Sequence, residues 1–125
     1  MSWKTTAAWQ AKTFKPDALR IGNALNKAGI LYTLEWREPR YEKDGSPILN
    51  RDGRPKFYSV DILVHDHRFE LVGIEMEGDH SASKDNQDRD DYLMGLGIQI
   101  LHEDNSVPGE QVLQDLQGYR RKVRA

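Results

Sequence analysis

Two apolar runs that carry acidic residues dominate the middle of the sequence and constrain the fold most. The first run, Phe57 to Val64, contains Asp61, and the second run, Phe69 to Met76, contains Glu75 and is followed by Glu77. Both are rich in β-branched and aromatic residues and a short polar link joins them, which predicts an antiparallel hairpin. Alternate side chains of a strand share a face, so we expect Glu75 and Glu77 to lie together, with Asp61 facing them from the neighbouring strand.

Three carboxylates on one small patch repel one another. At about 4 Å and an effective dielectric constant near 20, each like-charge pair costs about 4 kcal/mol. A fold keeps such a cluster when a bound proton or a divalent cation offsets the repulsion. We therefore interpret Asp61, Glu75 and Glu77 as the candidate functional site. The alternative is that the two glutamates form the solvated face of an edge strand.

The remaining runs predict a single α/β domain that spans residues 1–125. A mixed four-stranded sheet flanked by helices satisfies the order αβββαβα, because the first three strands meander and a crossover through the middle helix adds the fourth. The predicted elements are a helix at 16–28, strands at 30–37, 57–64, 69–76 and 98–101, a helix from Ser81 or Ser83 to Gly97, and a helix at 110–121. Residues 1–14, with Trp3 and Trp9, either pack on the domain or lie loose, and residues 120–125 form a basic tail.

Composition excludes several classes of protein. The chain has no cysteine, so disulfides and thiolate zinc sites are excluded and an intracellular, cytoplasmic setting is favoured. No apolar run is long enough to span a bilayer, and the N-terminus lacks a signal-peptide segment, so we expect no membrane contact. His65 and His67 lie in the link at 65–68, which we predict to be a tight turn, and with no third ligand at typical spacing they are interpreted as surface residues. No internal repeat is evident.

Basic residues are concentrated just before the acidic hairpin, although the net charge of the chain is −2. The segment between residues 38 and 55 also carries two Asp-Gly turn signals, at Asp44-Gly45 and Asp52-Gly53. Two interpretations stay open: a solvated loop whose acids balance its bases, or a loop that binds the nucleic-acid backbone beside a phosphodiester site. The basic residues concerned are Arg37, Arg40, Lys43, Arg51, Arg54 and Lys56.

The pattern VDILV…FELVGIEMEGDH…RDDYLMGLGIQIL resembles the very-short-patch-repair (Vsr)-like branch of the PD-(D/E)xK nuclease superfamily, which includes phage homing endonucleases. The resemblance covers residues 60–101. Glu77 stands where the superfamily has a catalytic lysine, but this branch commonly uses a nearby histidine instead, and His80 is in that place. The positions that match the family pattern are Asp61, Glu75, Met76, Glu77, Gly78, His80, Arg89, Asp90, Gly97 and the strand at 98–101.

This resemblance implies a restriction-endonuclease-like core and a metal-dependent DNA endonuclease, of nicking or homing type, that hydrolyses double-stranded DNA with Mg²⁺ or Mn²⁺. It assigns catalysis to Asp61, Glu75, Glu77, His80 and Asp88, with the metal held by Asp61, Glu75, Glu77 and the backbone carbonyl of Met76. His80 would act as general base or acid. Asp88 (or Asp85) would orient that imidazole or support the metal from behind its ligands, and Arg89 would either bind the scissile phosphate or pair with a neighbouring acid.

DNA binding then falls to Arg37, Arg40, Arg51, Arg54, Lys56 and Arg89. Cutting of both strands by so small a domain favours a homodimer. The alternatives are a catalytically inactive nucleic-acid-binding domain of the same fold and a structural α/β protein whose acids bind a cation.

Overall fold

The computed structural model describes residues 14–78 and 84–122, with backbone alone at Lys84 and Asp85. Its strands form one sheet in the order β1-β2-β3-β4, in which β1 and β3 are antiparallel to β2 and β4 is parallel to β3. The predicted mixed four-stranded sheet and the order of elements are confirmed. The elements are α1 (Pro16–Lys27), β1 (Tyr32–Pro39), β2 (Phe57–Val64), β3 (Val72–Glu77), α2 (Lys84–Gly95), β4 (Gln99–Asp104), α3 (Gly109–Leu116) and a 3₁₀ turn (Gln117–Tyr119).

Each face of the sheet has its own apolar cluster. The larger cluster packs Ile21 and Leu25 of α1 and Leu116 of α3 onto one face. The smaller cluster packs Leu93 of α2 onto the other face, against Val60, Leu63 and Ile98. Burying each such side chain contributes about 1.5–3 kcal/mol. The two clusters together fix α2 on the opposite side of the sheet from α1 and α3.

Strand β2 changes faces at Asp61. In a regular strand Val60 and Ile62 would share a face, but Val60 belongs to the smaller cluster and Ile62 to the larger one. On β1, Leu34 pairs with Ile62 and Trp36 pairs with Val60, and Glu35 between them has a φ of +49°. A left-handed conformation at a residue other than glycine costs about 1–3 kcal/mol. This local distortion lies directly beside Asp61.

The link between β2 and β3 differs from the predicted tight turn at 65–68. β3 begins at Val72 rather than Phe69, so the connection runs through residues 65–71. The reason is Asp66, whose buried carboxylate accepts hydrogen bonds from the backbone N–H groups of Leu31 and Arg68 and from the Arg68 guanidinium. These bonds hold the pKa of Asp66 well below its usual range, with the Arg68 side chain as the main cause.

Other boundaries also shift from their predicted positions. β1 extends to Pro39, β4 extends to Asp104, and α3 ends at Leu116, well before the predicted residue 121. Part of the predicted basic tail is bound to the 65–71 connection, because Arg121 donates hydrogen bonds to the carbonyls of Arg68 and Phe69. The N-terminal residues 1–13, with both tryptophans that the prediction left open, lie outside the described residues.

Between β1 and β2, residues 41–56 form a ribbon of two turns of the same design. The pattern Asp-Gly-x-Pro occurs at Asp44 and again at Asp52, and both turn glycines have positive φ, at +89° and +82°. In each turn the Asp carboxylate accepts the backbone N–H two residues later. The segment is therefore a short internal repeat, which the sequence reading missed because only three positions of each unit are identical.

None of the helices within residues 14–78 and 84–122 has both the length and the apolar character needed to cross a membrane.

Candidate carboxylate site

The predicted acids line one cavity, which opens where β2 and β3 stop pairing. The last paired residues of the two strands are Ile62 and Ile74, and Asp61 and Glu75 follow directly across from each other. The cavity has a volume of about 220 Å³. Its walls come from the residue before α1, from β2, from β3 and from α2. They are formed by Lys15, Asp61, Glu75, Met76, Glu77, Gly78, Asn86 and Arg89.

The Asp61 carboxylate is held at the wall of this cavity by two different groups. Its Oδ2 accepts the backbone N–H of Met76 at 2.9 Å, and its Oδ1 lies 3.0 Å from the Nζ of Lys15. The Asp61 side chain is only 10 % exposed, whereas that of Lys15 is 65 % exposed. The Asp61 carboxylate therefore accepts a hydrogen bond that a carbonyl of the neighbouring strand would otherwise accept, and Lys15 is its largely exposed counter-ion.

Glu75 is the most perturbed acid of the cavity. It is 6 % exposed, and its Oε1 is buried without a hydrogen-bond partner among the described residues. Burial raises the pKa of Glu75 to about 7 and the charge of Asp61 adds to that effect, while Arg89 opposes it. The guanidinium of Arg89 is 3.5 Å from the other oxygen, Oε2. The raised pKa of Glu75 therefore lies close to neutral pH, and its Oε1 meets no hydrogen-bond donor among the described residues.

Glu77 lines the same cavity, but its carboxylate is bound to His102 of β4. The Nδ1 of His102 contacts Glu77 Oε1, and its Nε2 lies 2.7 Å from Asp90 Oδ2. Asp90 in turn accepts hydrogen bonds from Nε and Nη2 of Arg89 at 3.2 and 3.1 Å. Glu75, Arg89, Asp90, His102 and Glu77 therefore form a chain of alternating acidic and basic side chains that begins and ends on β3.

The expected gathering of three acids is met only in part. Asp61 and Glu75 lie together, and Glu77 is drawn to His102 instead. Within residues 14–78 and 84–122, no three side chains of His, Asp or Glu are placed to hold a metal ion. The donors that do converge are hard oxygen ligands: two carboxylates and the backbone around Met76. Such a donor set suits Mg²⁺ or Mn²⁺, which keep several waters as further ligands.

The predicted histidine and its partner have different outcomes. His80 lies outside the described residues, so its assignment stays a prediction. Asp88 is exposed on α2. The acid of α2 that faces an imidazole is Asp90, because the helical period turns positions 86, 89, 90 and 93 toward the sheet. Arg89 lies in the carboxylate cavity as predicted, with its side chain 14 % exposed.

Three groups were not predicted from the sequence: Lys15 and Asn86, which line this cavity, and His102, which lies behind Glu77. Lys15 is 46 residues away from Asp61 along the chain, and nothing in the sequence points to their contact. The hydrogen bond to Asp61 raises the pKa of Lys15 above its ordinary value. His102 had a signal, since the parallel pairing of β3 with β4 places it beside Glu75. The predicted strand ended at Leu101, one residue too early to include it.

The predicted DNA-binding residues divide into three groups. Arg37, Arg40 and Lys56 line a second cavity of about 420 Å³ at the base of the ribbon. Arg51 and Arg54 belong to the second turn of the ribbon and are exposed, with Arg54 Nε 3.5 Å from Asp52. The last predicted residue, Arg89, is in the carboxylate cavity.

Compared with protein-family models, curated proteins and solved structures, the chain has no significant match to any of them.

Proposed function

We propose that this chain is a metal-dependent DNA endonuclease with a restriction-endonuclease-like core. The observation that carries the proposal is the buried pair of Asp61 and Glu75 at the point where two strands separate. One oxygen of Glu75 has no hydrogen-bond partner among the described residues, and burial raises its pKa to about 7. A buried acid without a donor is costly for a fold and is typical of a functional site.

Asp61, Glu75 and the carbonyl of Met76 are the groups that would hold Mg²⁺ or Mn²⁺. The bound ion supplies polarisation of the phosphodiester and acidification of water. In this assignment His102 holds Glu77 beside the site, and Glu77 is not one of the ligands of the ion.

The cationic groups of the cavity suit the substrate's phosphate. Arg89 presents a planar guanidinium, largely shielded from solvent, next to Glu75, and guanidinium groups bind phosphate oxygens in pairs. Lys15 supplies an ammonium group on the open side of Asp61. We assign proton transfer to or from the reacting oxygens to His80, which follows Gly78 by two residues in the sequence.

Cleavage of supercoiled plasmid DNA in Mg²⁺ tests the proposal directly. We expect Asp61→Asn and Glu75→Gln each to lower the cleavage rate about a thousandfold, because a lost metal ligand removes several kcal/mol of transition-state stabilisation. The matched control is Glu103→Gln, which changes a glutamate of β4 that is equally buried and lies outside the cavity.

Far-ultraviolet circular dichroism and a melting curve confirm that each variant is folded. Full cleavage by Glu75→Gln, or an equal loss in Glu103→Gln, would contradict the proposed site. We expect His80→Gln to lower the rate with no change in metal affinity, and an undiminished rate would remove His80 from the mechanism.

A second candidate is a nucleic-acid-binding domain without catalysis, and the cationic cavity at the base of the ribbon favours it. The two candidates differ in one measurement. Binding of DNA with no cleavage in Mg²⁺ or Mn²⁺ supports the binding domain, whereas cleavage that depends on Asp61 supports the nuclease.

A further inference from the structure

The cavity at the base of the ribbon has a lining suited to one phosphate-bearing group. Three of its residues are cationic, two offer neutral polar groups, and none is acidic. Its volume of about 420 Å³ falls within the range of roughly 300–1,000 Å³ found for sites that enclose a small ligand. The lining residues are Arg37, Arg40, Asn50, Pro55, Lys56, Phe57 and Ser59.

This cavity is separate from the carboxylate site and lies on a different face of β2. Tyr58 and Val60 point toward α2, since Tyr58 contacts the ring of Tyr92 and Val60 packs with Leu93. Phe57 and Ser59 alternate with them and therefore point to the other face. The two cavities have no lining residue in common.

Several contacts fix the start of the ribbon, which borders the cavity. The guanidinium of Arg40 lies 4.2 Å from the centroid of the Tyr58 ring. The hydroxyl of Tyr92 donates a hydrogen bond to the carbonyl of Pro39 and accepts one from the backbone N–H of Tyr41. The start of the ribbon is therefore fixed to α2, and the Arg40 guanidinium is held on the Tyr58 side of β2, so Arg40 borders the cavity without pointing its charge into it.

Phe57 gives the cavity a second kind of surface. Its side chain is part of the lining and is 46 % exposed. In a duplex the faces of the bases are covered by their neighbours, so an aromatic ring beside the backbone has no base to contact. An unpaired nucleotide offers a phosphate and a free base face together, and proteins bind it with cations and aromatic rings.

We propose that this cavity binds one unpaired nucleotide of a nucleic-acid strand, with its phosphate on Arg37 and Lys56 and its base against Phe57. The inference rests on the proposed function only in taking nucleic acid as the partner. It adds that the substrate presents an unpaired nucleotide beside the ribbon. Catalysis at the carboxylate site is not needed for this binding.

The ribbon itself supplies matched controls. Lys43 and Tyr41 belong to the first turn and are exposed there, outside the cavity lining. The first turn also carries two acids, Glu42 and Asp44, which makes it unfavourable for phosphate. Lys56→Gln and Lys43→Gln therefore make the same charge change on the same ribbon, and Phe57→Leu and Tyr41→Leu each remove one exposed aromatic ring.

The test measures binding of fluorescently labelled oligonucleotides by anisotropy in EDTA, where cleavage cannot occur. We expect the full chain to bind a single-stranded oligonucleotide about tenfold more tightly than a blunt duplex of the same sequence. Phe57→Leu should lose about tenfold in affinity for the single strand, the size of one base–aromatic contact. Lys56→Gln should lower the slope of log affinity against log salt by about 0.7. Tyr41→Leu and Lys43→Gln should leave both quantities unchanged.

The inference would be overturned by equal binding of single strand and duplex, by no effect of Phe57→Leu, or by an equal effect of the control variants. Inorganic polyphosphate is added as a competitor to separate an anion site from a nucleotide site. Polyphosphate has no base, so at a nucleotide site it should displace the oligonucleotide only at a higher phosphate concentration. Displacement at equal phosphate concentration contradicts a nucleotide site. Selective binding in EDTA combined with no cleavage in Mg²⁺ would reject the nuclease proposal alone.

Discussion

Glu75 and Glu103 are two buried glutamates on neighbouring strands with different surroundings. Each is 6 % exposed, and the pKa of each is raised to about 7, with burial as the largest cause. The side chain of Glu103 is hydrogen-bonded to that of Asp115, and this bond connects β4 to α3. Glu75 faces the charge of Asp61, and its Oε1 has no hydrogen-bond partner among the described residues.

The comparison shows that an altered pKa does not by itself mark a functional site. For Glu103 a protein group accounts for the bound proton, and the result is a contact between β4 and α3. For Glu75 the described residues provide no such group, and this is where we propose that a cation binds. The difference lies in the surroundings of the carboxylate, and each prediction below changes one of those surroundings.

The largest expected effect is on the pH dependence of stability. A glutamate whose pKa rises from 4.5 to about 7 on folding stabilises the protein below pH 4.5, and this stability is lost as the pH rises through 7. For Glu75 the loss amounts to about 3 kcal/mol. We expect urea unfolding without divalent cations to show that Glu75→Gln loses about 3 kcal/mol less than the unmodified chain between pH 5 and pH 8.

Glu103→Gln should change the pH dependence in the same direction and by a similar amount, because the pKa of Glu103 is also raised to about 7. An identical pH dependence in the unmodified chain and Glu75→Gln would show that Glu75 is ionised in the fold throughout this range.

The next effect is stabilisation by a divalent cation, which separates the two glutamates. At pH 8 and a Mn²⁺ concentration a hundred times the dissociation constant, we expect the free energy of unfolding to rise by about 2.7 kcal/mol. Melting curves should show this rise in the unmodified chain and in Glu103→Gln, and none in Glu75→Gln. Stabilisation that survives in Glu75→Gln would place the ion elsewhere.

A smaller effect is expected at His102, which connects Glu77 to Asp90. His102→Asn removes one of the two contacts, so we expect plasmid cleavage to fall by roughly 10–100-fold, as is typical when a group that supports a metal site from outside its ligands is lost. The control is His67→Asn, whose side chain is 87 % exposed. If both variants cleave equally well, His102 has no part in positioning Glu77.

The smallest effect is expected at Lys15. Its ion pair with Asp61 is largely solvent-exposed on the lysine side, and such pairs contribute up to about 1 kcal/mol. Because Lys15 competes with a metal ion for Oδ1 of Asp61, Lys15→Gln should lower the Mn²⁺ concentration for half-maximal stabilisation by up to about fivefold. Weaker Mn²⁺ binding in this variant would mean that Lys15 assists the metal site instead.

The sequence was informative where local patterns decide the structure. Apolar and β-branched runs predicted all four strands and placed Asp61 on the strand next to Glu75 and Glu77, whereas the exact register depended on the longer connection at 65–71, which was not predicted. Contacts between distant residues could not be predicted in this way. Lys15 meets Asp61 across 46 residues only because α1 packs on the sheet. Glu103 lies in the polar run His102-Glu103-Asp104, so its burial follows from the covering helix rather than from its neighbours in sequence.

The repeated turns of the ribbon also bear on how such a protein can change over time. The backbone N–H of Ile48 bonds to the carbonyl of Arg40, and that of Lys56 bonds to the carbonyl of Ile48. The last residue of each eight-residue unit is thus hydrogen-bonded to the residue that precedes the unit. A gene that gains or loses one unit would lengthen or shorten this projection while β1 and β2 keep their partners. Evolution can therefore adjust what the projection touches without disturbing the sheet beneath it.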